Sequence, residues 1–395
     1  MAAGQTATST AGSSLLLRKQ TEPGSRTHLR DFFMTTFIGS VTALSGADPP
    51  DSTPLHGWTL FAPLPDRVGF GGMLAGVLGG RLVAGGGSQF PDKPLWLKGE
   101  KAFSDKLFTL ATPVAKWVEH ATRLPVQVGG GASAATADAI YHAGGINASG
   151  CLHTGWEMRA QGDGFTFAPL PDLPHAVGYG AAAIVGRRFY VVGGLDTPAS
   201  KTPSVETWSL DLDAPRAQVK WQREPDFLGP GAFVSAAASD GKHLYVFGGI
   251  GFNAAGSATP SKAASRLAPG AAKWESLHDL PEARVGISTP CPTIPGGKVF
   301  LIGGYAEVFP GAPREHPGFL AQTLQFDLAH QSWENGPLLP AIPVADRDSP
   351  GDAGPAPMIG APCVLWNGFA VVIGGEVRSS VRTPAVLAWP LGVKK

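Results

Sequence analysis

Short apolar runs, each closed by a glycine pair, recur six times along the chain. They are "RLVAGG" ending at Gly86, "IYHAGG" at Gly145, "FYVVGG" at Gly194, "LYVFGG" at Gly249, "VFLIGG" at Gly304 and "AVVIGG" at Gly375. Successive ends lie 59, 49, 55, 55 and 71 residues apart. Ahead of the runs stand stretches of small residues, such as Gly69–Gly76 and Gly178–Val185. Between them an aromatic precedes a Leu-Pro or related turn, at Trp58, Trp117, Phe165, Trp221, Trp274 and Trp333. An unbroken apolar run predicts a strand buried on both faces. The glycines that end it predict a sharp backbone turn. The small-residue stretch predicts a strand crowded against an axis, and the aromatic one whose side chain fills the gap to a neighbouring sheet.

A repeat of roughly 50 residues with four strand signatures is that of a kelch-type β-propeller blade. Six copies predict an all-β chain, a six-bladed kelch-type propeller over residues 48–395. The ring has to close. The last copy supplies a small-residue strand ("MIGAPCVLW"), its diglycine strand and a third strand ("TPAVLAWPL"), with no fourth before Lys395. The unmatched strand is at the other end, "GWTLFAPLP" from Gly57. Residues 57–61 should therefore pair beside 384–390 and complete the last blade, which protects its edges.

Residues 1–47 read differently. Arg18, Lys19, Arg26 and Arg30 precede an apolar run at Phe32–Leu44, and "SGA" ends at Ala47. This is the layout of a secretory signal peptide, and "SRTHLRDFF" resembles a twin-arginine signal lacking its second arginine. The expectation is a periplasmic or secreted protein cut after Ala47; the alternative is a cytoplasmic protein with an N-terminal tail. The run is too short to span a bilayer, and no other segment qualifies.

Candidate chemistry comes from an exception to the repeat. Alternation of strands puts the residue after each diglycine on one face of the ring, together with the long insertions "SQFPDKPLWLKGEKAFSD", "IGFNAAGSATPSKAAS", "YAEVFPGAPREHPGF" and "AIPVADRDSPGDAGPAPM". Long loops on one face of a rigid scaffold are where sites are built. The residues in question are Gly87, Ile146, Leu195, Ile250, Tyr305 and Glu376. Only Glu376 is charged. A carboxylate at a channel mouth suits proton transfer, and Arg382 six residues on can clamp an anionic ligand through two hydrogen bonds. The same spacing also fits an ion pair that merely braces a loop.

At Gly375, Glu376, Arg382 and Thr383 the chain resembles the cyclically permuted mutarotases, kelch-type propellers related to N-acetylneuraminate epimerase. The marker of that family has the form G-E-x-x-x-G-x-R-T. In the epimerase it is internal and a W-x-x-L-x-P…G-G-F-A-G stretch follows it. Here the marker ends the chain and the continuation opens it, as "WTLFAPLPDRVGFGGMLAG" (Trp58–Gly76). "LYVFGGIG" at Leu244–Gly251 is also similar to an epimerase blade. The resemblance covers about residues 55–395 and departs at Ser379 and Ser380, where the family has Pro and Gly. It implies anomer exchange of a reducing sugar, most of all a sialic acid, by acid/base ring opening without a cofactor. Glu376 is then the proton acceptor and Arg382 the functional arginine that binds the sugar's carboxylate. Phe90 and His316, on insertions of the same face, are further candidates to touch substrate, although His316, like His175, sits on a turn where a structural role is the commoner one.

Composition narrows the field. Thirty-one Lys and Arg balance 31 Asp and Glu, so no basic stripe suits a nucleic acid. Cys151, Cys291 and Cys363 are odd in number with no CxxC, which indicates neither a disulfide framework nor a structural zinc site. Five tyrosines and ten histidines show no metal-ligand pairing of the kind a kelch-type copper oxidase needs. The S-x-D-x-G-x-T-W turns of sialidases are missing. The remaining rival is a non-catalytic propeller that binds glycan or protein.

Overall fold

A computed structural model describes residues 55–229, 231–287, 289–309, 318–342 and 356–392. Six four-stranded antiparallel blades surround a channel, and among the described residues the helical content is one 3-10 turn at Leu95–Leu97. Blade 1 runs outward through Gly71–Leu78, Arg81–Gln89, Leu107–Leu110 and Val118–Glu119, with Ala102–Phe103 paired to its second strand. Blade 2 uses Ala132–Ala135, Ala139–Ala143, Gly155–Gln161 and Gly164–Leu170, and blade 3 Ala181–Val185, Arg188–Val192, Thr207–Asp211 and Trp221–Glu224. Blade 4 is Ala236–Ser239, Leu244–Phe247, Ala264–Leu267 and Glu275–Ser276, and blade 5 Thr293–Ile294, Lys298–Leu301, Gln322–Asp327 and Ser332–Leu338. Blade 6 is Cys363–Trp366, Phe369–Ile373, Val386–Pro390 and, as its outer strand, Thr59–Phe61. The predicted closure is in register, with Thr59 opposite Ala388, Leu60 opposite Leu387 and Phe61 opposite Val386.

Strand alternation distributes the core into seams between blades. Along Phe369–Ile373, Val371 and Ile373 pack with Met73 and Phe108 of blade 1, whereas Ala370 and Val372 pack with Phe300 and Ile302 of blade 5. Period-two side-chain direction makes both faces of such a strand apolar, which is why the runs are unbroken. Indole side chains latch blades 3, 4, 5 and 6 each to the one before it. The indole N–H of Trp221 donates to Pro171, that of Trp274 to Pro225, that of Trp333 to His278 and that of Trp58 to Leu338. Trp58 thus ties the N-terminal strand to blade 5 as well as to blade 6.

The glycine pairs clasp the next blade. The N–H of Gly145 donates to the carbonyl of Val177 at 2.7 Å, and a Cβ on Gly144 would lie 2.2 Å from that same oxygen. No side chain fits there. The N–H of Gly375 makes the corresponding bond to Phe70 at 2.7 Å and so carries the clasp across the closure. In blade 1 the geometry corrects the sequence register by one residue. Gly86 (φ 66°) and Gly87 (φ 89°) take the conformations that Gly144 and Gly145 have elsewhere, so the residue after the pair is Ser88, which pairs with Gly71. The extra glycine in "AGGGS" hid this.

Inside the seams a second ring closes. Gly130 donates to Gly72, Tyr179 to Gly130, Val234 to Tyr179, Gly286 to Val234, Gly360 to Gly286 and Gly72 to Gly360, at 2.7–3.3 Å, all through backbone N–H and C=O. One residue per blade contributes. All six have φ between 49° and 68°. Four are glycine, and the left-handed conformation costs Tyr179 and Val234 on the order of 1–3 kcal/mol each. The signal-like segment 1–47 and His316 lie outside the described residues.

Candidate active site at the channel mouth

Above this ring lies a cavity of about 850 Å³, counting its opening to solvent. Of the six residues that follow the glycine pairs, two line it, Ser88 and Glu376, while Leu195 and Ile250 are 1% and 0% exposed in an apolar cap with Phe233 and Val285. The charged lining residues are Lys101, Glu376 and Arg382.

Glu376 and Arg382 face each other across a small hairpin, Glu376–Arg378 with Val381–Arg382. The backbone of Glu376 is fixed by two bonds to Ile359, both 2.8 Å. Its Oε1 accepts the N–H of Ser380 at 2.5 Å and lies 2.5 Å from Arg382 Nη1. That second approach is off the hydrogen-bond direction, so it is an ion pair in which Nη1 keeps its donor capacity. The two side chains are 13% and 8% exposed, shielded enough for their attraction to exceed that of a surface pair.

Arg382 is held from two further sides. Its Nε donates to the Ser88 carbonyl at 3.1 Å. Its guanidinium carbon stands 5.5 Å from the centroid of the Phe90 ring, a cation–π contact. Gly71 leaves the room: a Cβ there would come within 2.9 Å of Nε. Phe90 itself is 3% exposed and is not part of the cavity wall. The structure therefore places it behind the arginine, away from the surface on which a sugar would stack.

The departure at Ser380 has a local account. Ser380 sits at φ 60°, the left-handed region that suits glycine. Its Oγ accepts the N–H of Leu95 at 3.2 Å. The serine thus pins the blade 1 insertion to the hairpin, a bond glycine cannot make. Tyr305, after the fifth glycine pair, has its phenol pushed up by burial and further by the charge of Glu376, which fixes it as protonated beside the carboxylate.

Two wall residues escaped the sequence reading. Lys101 comes from the blade 1 insertion and donates from Nζ to the Tyr179 hydroxyl at 3.0 Å. Tyr179 comes from the blade 3 position of the backbone ring, and its ring covers Gly130, where a Cβ would strike it at 2.5 Å. A signal for Tyr179 was present: "GYGA" of blade 3 puts tyrosine where "GGGA" of blade 2 has Gly130.

Comparison with known proteins agrees with the fold. Residues 170–312 match the family model of N-acetylneuraminate epimerase. The N-acetylneuraminate epimerase of Yersinia enterocolitica is 28% identical over 247 residues, 55% of this chain and 56% of that protein. That of Haemophilus influenzae is 29% identical over 252 residues, 55% of this chain and 60% of its own length. The chain thus spans little more than half the length of these relatives, and the family-model match ends before Glu376. The solved structure of YjhT superimposes with a TM-score of 0.60 at 14% identity, over 84% of this chain and 98% of that one, which speaks to fold alone. On sequence and architecture together, the chain is a six-bladed propeller that is similar, over little more than half of its length, to N-acetylneuraminate epimerases.

Proposed function

We propose that the protein is a mutarotase that interconverts the anomers of a reducing sugar of the sialic acid kind. One observation carries the reading: Glu376 is the single carboxylate in the wall of the mouth cavity among the described residues, and it is aimed by a hairpin built for it. The names of the relatives supply the substrate class.

Glu376 accepts the proton of the anomeric hydroxyl and passes it to the ring oxygen as the bond from that oxygen to the anomeric carbon breaks, which leaves an open-chain carbonyl and a hydroxyl. Rotation about the freed bond and reclosure give the other anomer, and the proton returns. No atoms are gained or lost. Arg382 holds the Glu376 oxygen at the mouth and supplies a positive charge beside the oxyanion that develops. This differs from a simple carboxylate clamp, because the charge of the guanidinium is already answered by Glu376 and its Nε by Ser88.

The test is NMR exchange spectroscopy between the anomers of N-acetylneuraminate. Glu376→Gln is isosteric and should lower the catalysed rate by roughly 10²–10⁴, the usual range for a general acid/base, with an unchanged thermal transition. Full activity in that variant would reduce the pair to a brace. A wild type that binds a glycan but exchanges no sugar would leave the binding propeller as the reading.

A further inference from the structure

Within the cavity the charges do not balance. Glu376 and Arg382 neutralise each other at 2.5 Å. Lys101 is the third charge in the wall, and no carboxylate pairs with it among the described residues. Its partners among the described residues are neutral: the Tyr179 hydroxyl at 3.0 Å, and the rings of Phe103 and Tyr179 at 5.4 and 5.7 Å. An ammonium so placed, beside an apolar wall of Met73, Val234 and Ile287, is a site for an anion, because its charge is poorly answered by the protein.

Position strengthens the case. Tyr179 belongs to blade 3 and Glu376 to blade 6, three steps apart in a ring of six, so the two stand on opposite sides of the channel. Lys101 reaches Tyr179 from a blade 1 insertion that Ser380 pins to the Glu376 hairpin. Tyr179 holds its place in a left-handed conformation at φ 56°. Strain of this kind concentrates at functional sites.

We propose that Lys101 and Tyr179 form the seat for the substrate's acid group, across the channel from Glu376. The proposal rests on the mutarotase reading and moves carboxylate recognition from Arg382 to a residue outside the marker segment. In a sugar acid whose carboxylate and reactive hydroxyl share one tetrahedral carbon, the two groups diverge. The hydroxyl then meets Glu376 while the carboxylate meets the ammonium. Lys101 and Tyr179 act on specificity and orientation; Glu376 remains the proton acceptor.

The experiment compares N-acetylneuraminate with its methyl ester, which keeps the sugar and removes the charge. Anomer exchange is measured on wild type, Lys101→Met and Lys101→Arg. A hydrogen bond to a charged group is worth enough that Lys101→Met should lower the acid-to-ester ratio of kcat/KM by roughly 10- to 100-fold, mostly through KM for the acid. Lys101→Arg should restore most of the ratio. Binding of N-acetylneuraminate to Glu376→Gln by calorimetry should survive, and should weaken when Lys101→Met is added. Wild-type exchange with the same ratio in Lys101→Met overturns the seat and leaves the mutarotase standing. Loss of the ratio in Arg382→Met but not in Lys101→Met returns the carboxylate to Arg382. No exchange and no binding in wild type removes both readings together.

Discussion

Two halves of one channel mouth use the same backbone for different ends. On blades 3 and 4 the residues after the glycine pairs, Leu195 and Ile250, are sealed with Phe233 and Val285 into an apolar cap. On blades 6 and 1 the equivalent residues are Glu376 and Ser88, and both open onto the cavity. The bridges beneath them are alike: Ile250 pairs with Phe233 as Glu376 pairs with Ile359. Even the hairpins correspond, Ile250–Phe252 with Ala258–Pro260 against Glu376–Arg378 with Val381–Arg382. The repeat therefore fixes where a side chain points and leaves open what it does. One half of the mouth spends the position on cohesion, the other on charge.

The hardest blow to this division is struck in the apolar half. Ile250→Ala removes a side chain that is 0% exposed and should cost about 2–5 kcal/mol by denaturant titration. Anomer exchange by the protein that remains folded should stay within a few fold of wild type. A large loss of exchange with little loss of stability would show that the cap is part of the site.

Next in size is a proton-linked effect in blade 2, beside the polar half. Gly131 lines the cavity and has no room for a Cβ because the His142 ring fills the space behind it. His142 stacks on Trp156 at 4.6 Å and is pulled down to about 4 by burial. In the unfolded chain it titrates near 6.5. Between those values the unfolded chain holds more protons, so stability falls as pH drops. From pH 7 to pH 5 the loss from this group is about 2 kcal/mol. His142→Gln should flatten that part of the stability profile, measured as Tm against pH. An unchanged slope would place the acid sensitivity elsewhere.

How much could be read from the chain follows the same division. The six strands, their turns and the closing pair Thr59–Phe61 with Val386–Ala388 are written in periodic, local patterns, because burial on both faces demands them. Glu376 was visible because it breaks that pattern. Lys101 was not, because it lies in an insertion whose path is set by a remote contact, Leu95 on Ser380. Phe90 looked like a sugar platform from its loop, but the Arg382 guanidinium takes its ring face. The blade 1 register slipped by one at three consecutive glycines, where sequence offers no side chain to count from.

The smallest expected effect concerns that pinning contact. Ser380→Gly relieves a left-handed residue, worth about 1–2 kcal/mol, and deletes one hydrogen bond, worth about 0.5–1.5 kcal/mol. The two nearly cancel, so Tm should move by no more than a few degrees. The readout that matters is the insertion: hydrogen exchange at Leu95 should accelerate if Ser380 is what holds it. Unaltered protection there would assign the anchoring to other contacts of the loop.

The ring of six residues under the cavity has an electrical consequence. Its N–H and C=O groups run head to tail around a circle, each blade donating to the one before. Dipoles arranged in a closed circulation cancel one another across the diameter and leave no pole along the axis, unlike the aligned peptides of a helix. Their donors and acceptors are also spent on each other. The floor of the channel thus neither attracts nor repels an ion, and a ligand resting on it is oriented by Lys101, Glu376 and Arg382, so that its charge preference can be rewritten at those side chains while the floor stays as it is.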